Sequence, residues 1–269
     1  MSEILRAEDI SFSYGNERFA LKDVSFSIGG GEFVSIIGRN GSGKSTLVKL
    51  LSGIHTNTSG KIIFKDKNIA EYERKTLSRG LCYLPQSGIM LTDKITVKDF
   101  LLLGRYSYKN FSEFRYNEED ESVVSEALDV AGIMDFRDRE ISELSGGERQ
   151  KVLITLALVQ LNLKEDLKEK LLIIDEPLTY LDVNYQHEIF SILHKLNSEK
   201  GLTIMVVMHD LSLALKYTHK TLLLDKGKLV FAGKTHDIIT EENLRKYFLI
   251  NSAIISNNNE LLINYLPKL

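Results

Sequence analysis

Nine consecutive residues of the sequence have the types and the spacing that bind phosphate groups. They are Gly38-Arg39-Asn40-Gly41-Ser42-Gly43-Lys44-Ser45-Thr46, which follow the pattern G-x-x-x-x-G-K-S. Glycines let the backbone turn successive N–H groups towards an anion, and a following helix adds its positive end. Lys44 is expected to reach the β- and γ-phosphates, and the Ser45 hydroxyl to ligate Mg²⁺.

The segments on either side of this loop provide the context that the motif needs. Residues 33–37 are an apolar run with β-branched members, which predicts a buried strand. Residues 44–52 place apolar side chains at helical spacing. Strand, glycine-rich loop and helix together predict a phosphate-binding loop rather than an ordinary glycine-rich turn.

Two carboxylates follow a second apolar run, residues 171–174. Asp175 and Glu176 would lie at the carboxyl end of a buried parallel strand, where α/β sheets bind ligands. Asp175 is predicted to hold Mg²⁺ through water, and Glu176 to polarise an attacking water as general base. The alternative is that either carboxylate merely caps a helix, which is weaker for both together behind this strand.

Three single residues each have an ordinary and a functional interpretation. Tyr14 ends a predicted strand and is either an edge aromatic residue or a ring that stacks on adenine. Gln86 follows a strand and is either a surface residue or a metal ligand through its amide oxygen. His209 follows residues 202–208, another apolar run, and is either exposed or a hydrogen-bond partner of the γ-phosphate.

A second helix start suited to phosphate lies in the stretch 144–150, with the sequence Leu-Ser-Gly-Gly-Glu-Arg-Gln. Ser145 is a good N-cap residue, while Gly146 and Gly147 permit close approach of a ligand. The apolar stretch 152–161 continues the helix. One chain therefore has two phosphate-binding helix starts but a single set of Mg²⁺ ligands.

Composition limits the class of protein. The 269 residues are 43% hydrophobic and 26% charged, and the net charge of −3 gives no broadly basic surface for nucleic acid. The single cysteine, Cys82, excludes an internal disulfide framework and is interpreted as a small core residue. No apolar run approaches the length of a membrane span, and the first residues lack a signal-peptide pattern. The expectation is a cytosolic chain, unless another subunit carries it to a membrane.

The remaining segments complete an α/β pattern. Residues 4–28 alternate like antiparallel strands, and 79–84 predict a further strand. A helical insert is expected at about 90–160, and the charged segment 162–170 is interpreted as a solvated loop or a helix extension. Neither 162–170 nor the asparagine-rich tail after Phe248 suggests a function.

With these motifs in place, the chain resembles the ATP-binding subunit of an ABC transporter across about residues 3–248. The motifs occur in the family's order: Tyr14 as the adenine-stacking residue, the Walker A loop at 38–46, the glutamine loop at Gln86, the signature at 144–148, the Walker B strand at 171–175 followed by Glu176, the D-loop at 180–182 with Asp182, and the switch histidine His209. The resemblance implies a phosphate-loop ATPase core with an antiparallel β subdomain and a helical insert. It also implies one ATPase domain at 1–248 and a C-terminal tail at 249–269.

The same resemblance explains the two helix starts and implies cofactors and partners. In the family, two subunits pack head to tail, so that Ser145, Gly146 and Gly147 of one contact the γ-phosphate of the ATP bound to the other. ATP and Mg²⁺ are the implied cofactors. The implied partners are a second copy, an integral membrane permease and, indirectly, an extracytoplasmic binding protein, with no nucleic acid. The chain would then act as a peripheral protein on the cytoplasmic face of the membrane.

A narrower likeness is to type II importers for iron–siderophore complexes, haem and cobalamin. It is carried by the segments 83–86, 102–106, 176–182, 208–214 and 239–244. Leu178 departs from the usual threonine or serine at a position that is not catalytic. Siderophore import is preferred over haem or cobalamin. The alternatives are a soluble ABC ATPase acting on ribosomes or DNA, an exporter subunit, and a regulator without catalysis, which the presence of Lys44, Glu176 and His209 disfavours.

Overall fold

The computed structural model describes residues 2–15, 19–86, 94–110, 115–177, 182–257 and 260–267. The chain divides into two compact units. The first unit comprises residues 1–71 and 204–269, and the second comprises residues 72–203. Residues Tyr180 and Leu181 of the predicted D-loop lie outside the described part of the chain.

The helices and strands follow one another along the chain as follows. The strands are β1 (Glu3–Ser13), β2 (Phe19–Gly29), β3 (Phe33–Ile37), β4 (Ser59–Phe64), β5 (Lys67–Asn68), β6 (Leu81–Leu84), β7 (Leu171–Asp175), β8 (Thr203–Val207), β9 (Lys220–Asp225), β10 (Lys228–Lys234), β11 (Asn251–Asn257) and β12 (Glu260–Leu266). The α-helices are α1 (Lys44–Leu51), α2 (Arg74–Gly80), α3 (Val97–Leu102), α4 (Glu118–Val130), α5 (Gly146–Leu161), α6 (Val183–Lys200), α7 (Leu211–Tyr217), α8 (Thr235–Ile238) and α9 (Glu241–Asn243). A 3₁₀ turn at Leu103–Tyr108 extends α3, and a π turn at Leu244–Phe248 follows α9.

The first unit contains an antiparallel sheet and a largely parallel one. The antiparallel sheet has the strand order β2-β1-β4-β5, which confirms the prediction for residues 4–28. In the other sheet β3 lies parallel to both β8 and β9, and β10 is antiparallel to β9. All five residues of β3 are buried, as the continuous apolar run predicts for a parallel strand. The helix α1 buries Leu47, Val48, Leu50 and Leu51.

The second unit pairs β6 with β7 in parallel, and α2 and α5 contact β6. The helix α5 is long and buries most of its apolar side chains. A buried ion pair fixes the 3₁₀ turn after α3 to the start of α4: Arg105 Nε donates to Asp120 Oδ1 over 3.0 Å. Asp120 also pairs with Lys109. A single buried charge without a partner is strongly destabilising. The pairing of Arg105 with Asp120 avoids this cost for both side chains.

Three predictions about local structure need correction or completion. Arg79 and Gly80 belong to α2 and not to the following strand, which begins at Leu81. The segment 162–170 is only partly solvated, because Leu163, Leu167 and Lys170 are buried. Lys170 donates to the carbonyl oxygen of Leu161 and pairs with Glu165, so this segment satisfies the end of α5. The tail after Phe248 forms a β-hairpin.

The interpretation of Cys82 as a core residue is confirmed. Its thiol is buried, and burial raises its pKa to about 12. No helix in the described part of the chain combines the length and apolar character needed to cross a bilayer.

Candidate functional site

The predicted site residues fall into two groups, one in each unit. The first unit contains Tyr14, residues 38–46 and His209. The second contains Gln86, residues 145–147, the Asp175–Glu176 pair and Asp182.

The phosphate loop begins where β3 ends and closes on the first turn of α1. Gly38, Gly41 and Gly43 all have positive φ, at 149°, 78° and 104°. At Gly43 a Cβ atom would lie 2.7 Å from Leu21 Cδ2, and at Gly38 one would lie 2.6 Å from Ser42 Oγ. Both glycines are therefore required by conformation and by space.

The side chains of the loop are arranged to receive an anion. Lys44 is buried, and its ammonium group donates to the carbonyl oxygens of Gly38, at 2.9 Å, and of Arg39, at 3.3 Å. The Ser42 hydroxyl is buried and has no hydrogen-bond partner among the described residues. A buried polar atom without a partner is costly, so this hydroxyl is explained by a bound acceptor such as a phosphate oxygen. The residues present thus fit the phosphates that the sequence predicts.

The rest of the loop is more open. Arg39, Asn40 and Gly41 are exposed, while Ser45 is half-buried and Thr46 is buried at the start of α1. A helix N-terminus carries partial positive charge and is stabilised by an anion. The predicted contacts of Arg39, Asn40, Ser45 and Thr46 with nucleotide stay predictions.

Tyr14 lies next to the phosphate loop and presents an open ring. Its side chain is 64% exposed, and its hydroxyl forms a 3.1 Å hydrogen bond with Thr46 Oγ1. Phe12 meets the ring edge to face at 4.8 Å, and His55 meets it in the same way at 5.7 Å. This geometry favours the stacking interpretation, because the ring is anchored beside the loop. Sequence reasoning missed Phe12 and His55, since no spacing links a histidine to a tyrosine 41 residues before it.

His209 lies at the same edge of the sheet as the phosphate loop. The strands β3 and β8 are parallel, with Ile36 opposite Val207, and the Met208 amide donates to the Ile36 carbonyl at 3.2 Å. The chain therefore leaves both strands at their carboxyl ends, into Gly38 and into His209. His209 is exposed, and Asp210 after it caps α7 by accepting from the amides of Ser212 and Leu213.

In the second unit, parallel pairing of β6 with β7 brings Gln86 and Glu176 together. Leu84 lies opposite Ile174, and Gln86 and Glu176 each follow this paired position by two residues. The Gln86 amide nitrogen donates to Glu176 Oε2. Asp175 is buried, and the Tyr83 hydroxyl donates to its carboxylate at 3.3 Å. Tyr83 was not predicted as a site residue.

Glu176 has an unusual backbone conformation. Its φ is +51°, in the left-handed region that residues other than glycine rarely adopt. Such strain clusters at functional sites, where surrounding structure holds a side chain in one orientation. The strain therefore supports a functional rather than a capping role for Glu176.

The start of α5 has the predicted N-cap. Ser145 accepts from the Glu148 amide at 3.3 Å, and Glu148 accepts from the Ser145 amide at 2.7 Å, which completes a capping box. Arg139 donates to the other oxygen of Glu148 at 2.9 Å. The Ser145 backbone and side-chain hydrogen bonds, followed by Arg139, lower the pKa of Glu148.

The two signature glycines differ. A Cβ at Gly146 would meet nothing within 4 Å, so this position is open to a ligand. A Cβ at Gly147 would lie 2.6 Å from the Tyr185 ring, so glycine is needed there for packing against α6. Asp182 caps α6 by accepting from the Tyr185 amide at 3.0 Å. The predicted contacts of these four residues with nucleotide stay predictions.

The predicted Mg²⁺ ligands are a hydroxyl, an amide oxygen and one carboxylate. Among the residues that the structure describes, no cluster of three or more His, Cys, Asp or Glu side chains is arranged for a metal. A sparse oxygen set is typical of Mg²⁺ that binds together with substrate phosphates and keeps several waters. Ser45, Gln86 and Asp175 fit that pattern by chemistry.

The fold and these residues define a nucleotide-binding α/β protein with a phosphate loop. The family model for ABC transporters matches residues 21–179. The chain belongs to the ABC transporter family. This confirms the predicted architecture of a phosphate-loop ATPase core with an antiparallel β subdomain and helices, and the predicted enzyme class of transport-coupled ATP hydrolase.

Among curated relatives, the iron(3+)-hydroxamate import ATP-binding protein FhuC of Bacillus subtilis (strain 168) is 34% identical over 254 residues, covering 94% of this chain and 90% of that protein. The ferric enterobactin transport ATP-binding protein FepC of Escherichia coli (strain K12) is 33% identical over 253 residues, covering 94% and 90%.

Two solved structures extend the comparison. A metal-chelate type ABC transporter in an inward-facing conformation matches with a TM-score of 0.83 and 28% identity, covering 100% of this chain and 98% of that chain. A dimeric post-hydrolysis state of the ATP-binding cassette MJ0796, bound to ADP and Pi, matches with a TM-score of 0.72 and 26% identity, covering 86% and 99%.

Proposed function

We propose that this chain is the ATP-hydrolysing subunit of an importer for iron–siderophore complexes. It would act on a separate membrane permease from the cytoplasmic face, as a peripheral protein. The proposed substrate rests on the similarity to the iron(3+)-hydroxamate and ferric enterobactin proteins, which extends over 94% of the chain. The metal-chelate type transporter with a similar fold supports the same class of cargo.

The phosphate loop would bind the ATP phosphates. Lys44 supplies a buried positive charge, and the Ser42 hydroxyl supplies a donor that has no partner among the described residues. Tyr14 would stack on adenine, since its exposed ring is anchored beside the loop through Thr46. Base–aromatic stacking contributes roughly 1–3 kcal/mol.

Mg²⁺ would be held by Ser45, Gln86 and, through water, Asp175. When bound, the ion would neutralise charge on the phosphate oxygens. The Gln86 amide nitrogen is occupied by Glu176, which leaves the amide oxygen as its ligand atom. Glu176 would take a proton from the attacking water, and His209 would hydrogen-bond the γ-phosphate.

The active unit would be a head-to-tail homodimer with two ATP molecules between the subunits. Ser145, Gly146 and Gly147 of one copy would approach the γ-phosphate bound to the other. The open space at Gly146 and the N-terminus of the 16-residue helix α5 support this contact. The dimeric cassette bound to ADP and Pi supports association of this kind.

The 3₁₀ turn after α3 offers a surface for the permease. Leu103 and Tyr106 are 51% and 66% exposed, and the Lys75 ammonium lies 5.1 Å from the Tyr106 ring centre. The buried Arg105–Asp120 pair holds the turn from behind. An exposed apolar and aromatic pair on a rigid turn is suited to a protein partner, and it lies within one of the segments that resemble type II importers.

The first experiment is affinity capture of the full chain from gently solubilised native membranes, with partners identified by mass spectrometry. Recovery of a many-helix permease, together with its external binding protein, would support the importer function. Recovery of ribosomes or DNA-repair factors with no membrane protein would overturn it and leave the ATPase chemistry intact.

The substrate is then tested by uptake of radioactive iron in cells that carry either the wild-type chain or Glu176→Gln at the chromosomal locus. We expect Glu176→Gln to abolish uptake of a ferric siderophore, while Glu199→Gln, an exposed position on α6, retains it. Loss of haem or cobalamin uptake, with iron–siderophore uptake unchanged, would contradict the proposed substrate.

A further inference from the structure

Three aromatic rings from two separate segments meet beside the phosphate loop. Phe12 and Tyr14 come from the end of β1 and the residue after it, while His55 follows α1, the helix that begins in the loop. The rings of Phe12 and His55 are nearly parallel, with an angle of 9° between them and 5.2 Å between their centres. The Tyr14 ring is perpendicular to both, at 90° and 89°.

The hydrogen bond between the Tyr14 and Thr46 hydroxyls leaves one rotation of the tyrosine side chain undetermined. At 3.1 Å, this bond holds the phenol oxygen next to the first turn of α1. That oxygen lies on the axis about which the ring turns, so the bond fixes the end of the side chain and not the plane of the ring. A base stacks only on an aromatic face that is presented to it. The contacts that set the plane of the ring therefore matter for stacking.

His55 is well placed to set this plane, because its backbone is attached to the end of α1. The amides of Ile54 and His55 donate to the Lys49 carbonyl oxygen at 2.9 and 3.1 Å. His55 is half-buried, whereas Tyr14 is 64% exposed. The imidazole is thus the more firmly held member of the pair, and the Tyr14 ring keeps an open surface for a base.

We propose that His55 is a positioning residue for adenine, acting through its edge-to-face contact with the Tyr14 ring. The 5.7 Å contact with His55, together with the 4.8 Å contact with Phe12, sets the ring plane that the hydroxyl bond leaves undetermined. The segment 44–55 would then serve both ends of the nucleotide, with the phosphates at its start and the base at its end. This proposal rests on the proposed stacking of Tyr14 on adenine and extends it to a second residue.

A histidine that only stabilised the phosphate loop would give a different result. ATP and inorganic tripolyphosphate both carry phosphates for the loop, but only ATP has a base. Damage to the loop would weaken the binding of both ligands. If His55 sets the plane of the Tyr14 ring, its removal weakens the binding of ATP alone.

The experiment measures binding of ATP and of tripolyphosphate to the full chain by isothermal titration calorimetry, with Mg²⁺ present. We expect His55→Ala to raise the Kd for ATP about two- to tenfold, the usual contribution of an edge-to-face aromatic pair, and to leave the Kd for tripolyphosphate within about twofold of wild type. His55→Phe keeps an aromatic ring and should restore ATP affinity. His236→Ala, an exposed histidine of the same unit, is the matched control.

The double variant His55→Ala with Tyr14→Ala tests whether His55 acts through the tyrosine. Tyr14→Ala alone sets the largest loss that the stacking interaction can give. Because the proposed role of His55 requires the Tyr14 ring, the double variant should bind ATP as Tyr14→Ala does. Losses that multiply would show that His55 acts on the nucleotide independently of Tyr14, which would overturn the positioning role.

Two further results would overturn the proposal: wild-type affinity of His55→Ala for ATP, or equal losses of ATP and tripolyphosphate binding. Tyr14→Ala separates this proposal from the one on which it rests. Wild-type ATP affinity in Tyr14→Ala would show that the tyrosine does not stack on adenine. Weak ATP binding by Tyr14→Ala, together with wild-type binding by His55→Ala, would contradict the positioning role alone.

Discussion

The Gln86 amide nitrogen donates to the Glu176 carboxylate, with 2.5 Å between Nε2 and Oε2. Parallel pairing of two neighbouring strands brings together residues that are 90 positions apart. Glu176 is at the same time held at a φ of +51°. A carboxylate on strained backbone that also accepts a hydrogen bond from a neutral amide is held in one orientation, which suits a base that must accept a proton from water.

Glu176→Gln should therefore retain ATP binding and lose turnover. The expected fall in kcat is about 10²- to 10⁴-fold, the usual contribution of general acid–base catalysis. ATP should then accumulate on a stable dimer, which size-exclusion chromatography with bound-nucleotide analysis would detect. Glu199→Gln is the matched control on the exposed face of α6. Near-normal turnover in Glu176→Gln would remove this residue from the base role.

Ser145→Arg should separate ATP binding from hydrolysis. The bulky cation would occupy the approach to Gly146, so the monomer should bind ATP while the dimer and its turnover are lost. Loss of the N-cap alone costs about 1 kcal/mol of stability, and Ser145→Ala measures that part. Ser142→Arg places the same charge at an exposed position three residues earlier. Normal turnover in Ser145→Arg would exclude the head-to-tail arrangement.

Much of the site could be predicted because its motifs combine local sequence with a required backbone shape. The loop at 38–46 and the cap at Ser145 are of this kind, and both have the expected local structure. The partners that come from distant parts of the chain could not be predicted. Tyr185 behind Gly147 and His55 beside Tyr14 both depend on tertiary packing, which no spacing in the sequence reveals.

Burial was also harder to predict than the type of element. The charged segment 162–170 suggests a solvated loop, yet Lys170 is buried because the end of α5 needs a donor for the Leu161 carbonyl. Arg79 and Gly80 precede an apolar strand and were assigned to it, although the backbone there completes α2. Element boundaries shift in this way because side-chain patterns do not mark where hydrogen bonding changes.

Alanine at two glycines of the phosphate loop should have unequal effects. At Gly41 a Cβ meets nothing within 4 Å, so only the positive φ opposes the change, at a cost of about 1–2 kcal/mol. At Gly38 a Cβ would in addition collide with the Leu224 carbonyl oxygen and Ser42 Oγ, so the loss should exceed about 3 kcal/mol. Thermal unfolding of the two variants tests this order. Equal losses would show that the loop rearranges freely.

Tyr106→Ala should leave basal ATP hydrolysis intact and remove its stimulation by the permease. The Tyr106 ring is 66% exposed, so its loss changes a surface and not the core. The measurement compares ATP turnover of the subunit alone with that of the complex reconstituted in lipid vesicles. Met134→Ala, another exposed apolar position in the same unit, serves as control. Full stimulation of Tyr106→Ala would place the permease contact elsewhere.

The capping box of α5 should make stability depend on pH through Glu148. Hydrogen bonds from Ser145, with the Arg139 charge after them, lower the pKa of this carboxyl below its usual value of 4.5. A carboxyl whose pKa is lower in the folded state stabilises the fold above the unfolded-state pKa, and the contribution is lost as pH falls through the folded-state pKa. The difference in Tm between wild type and Glu148→Gln should therefore be constant near neutral pH and shrink below about pH 4.5. Glu143→Gln, at an exposed position nearby, is the control in the same thermal scans. If the Tm difference for Glu148→Gln stayed constant down to the acid transition, the charge of Glu148 would contribute nothing to the cap.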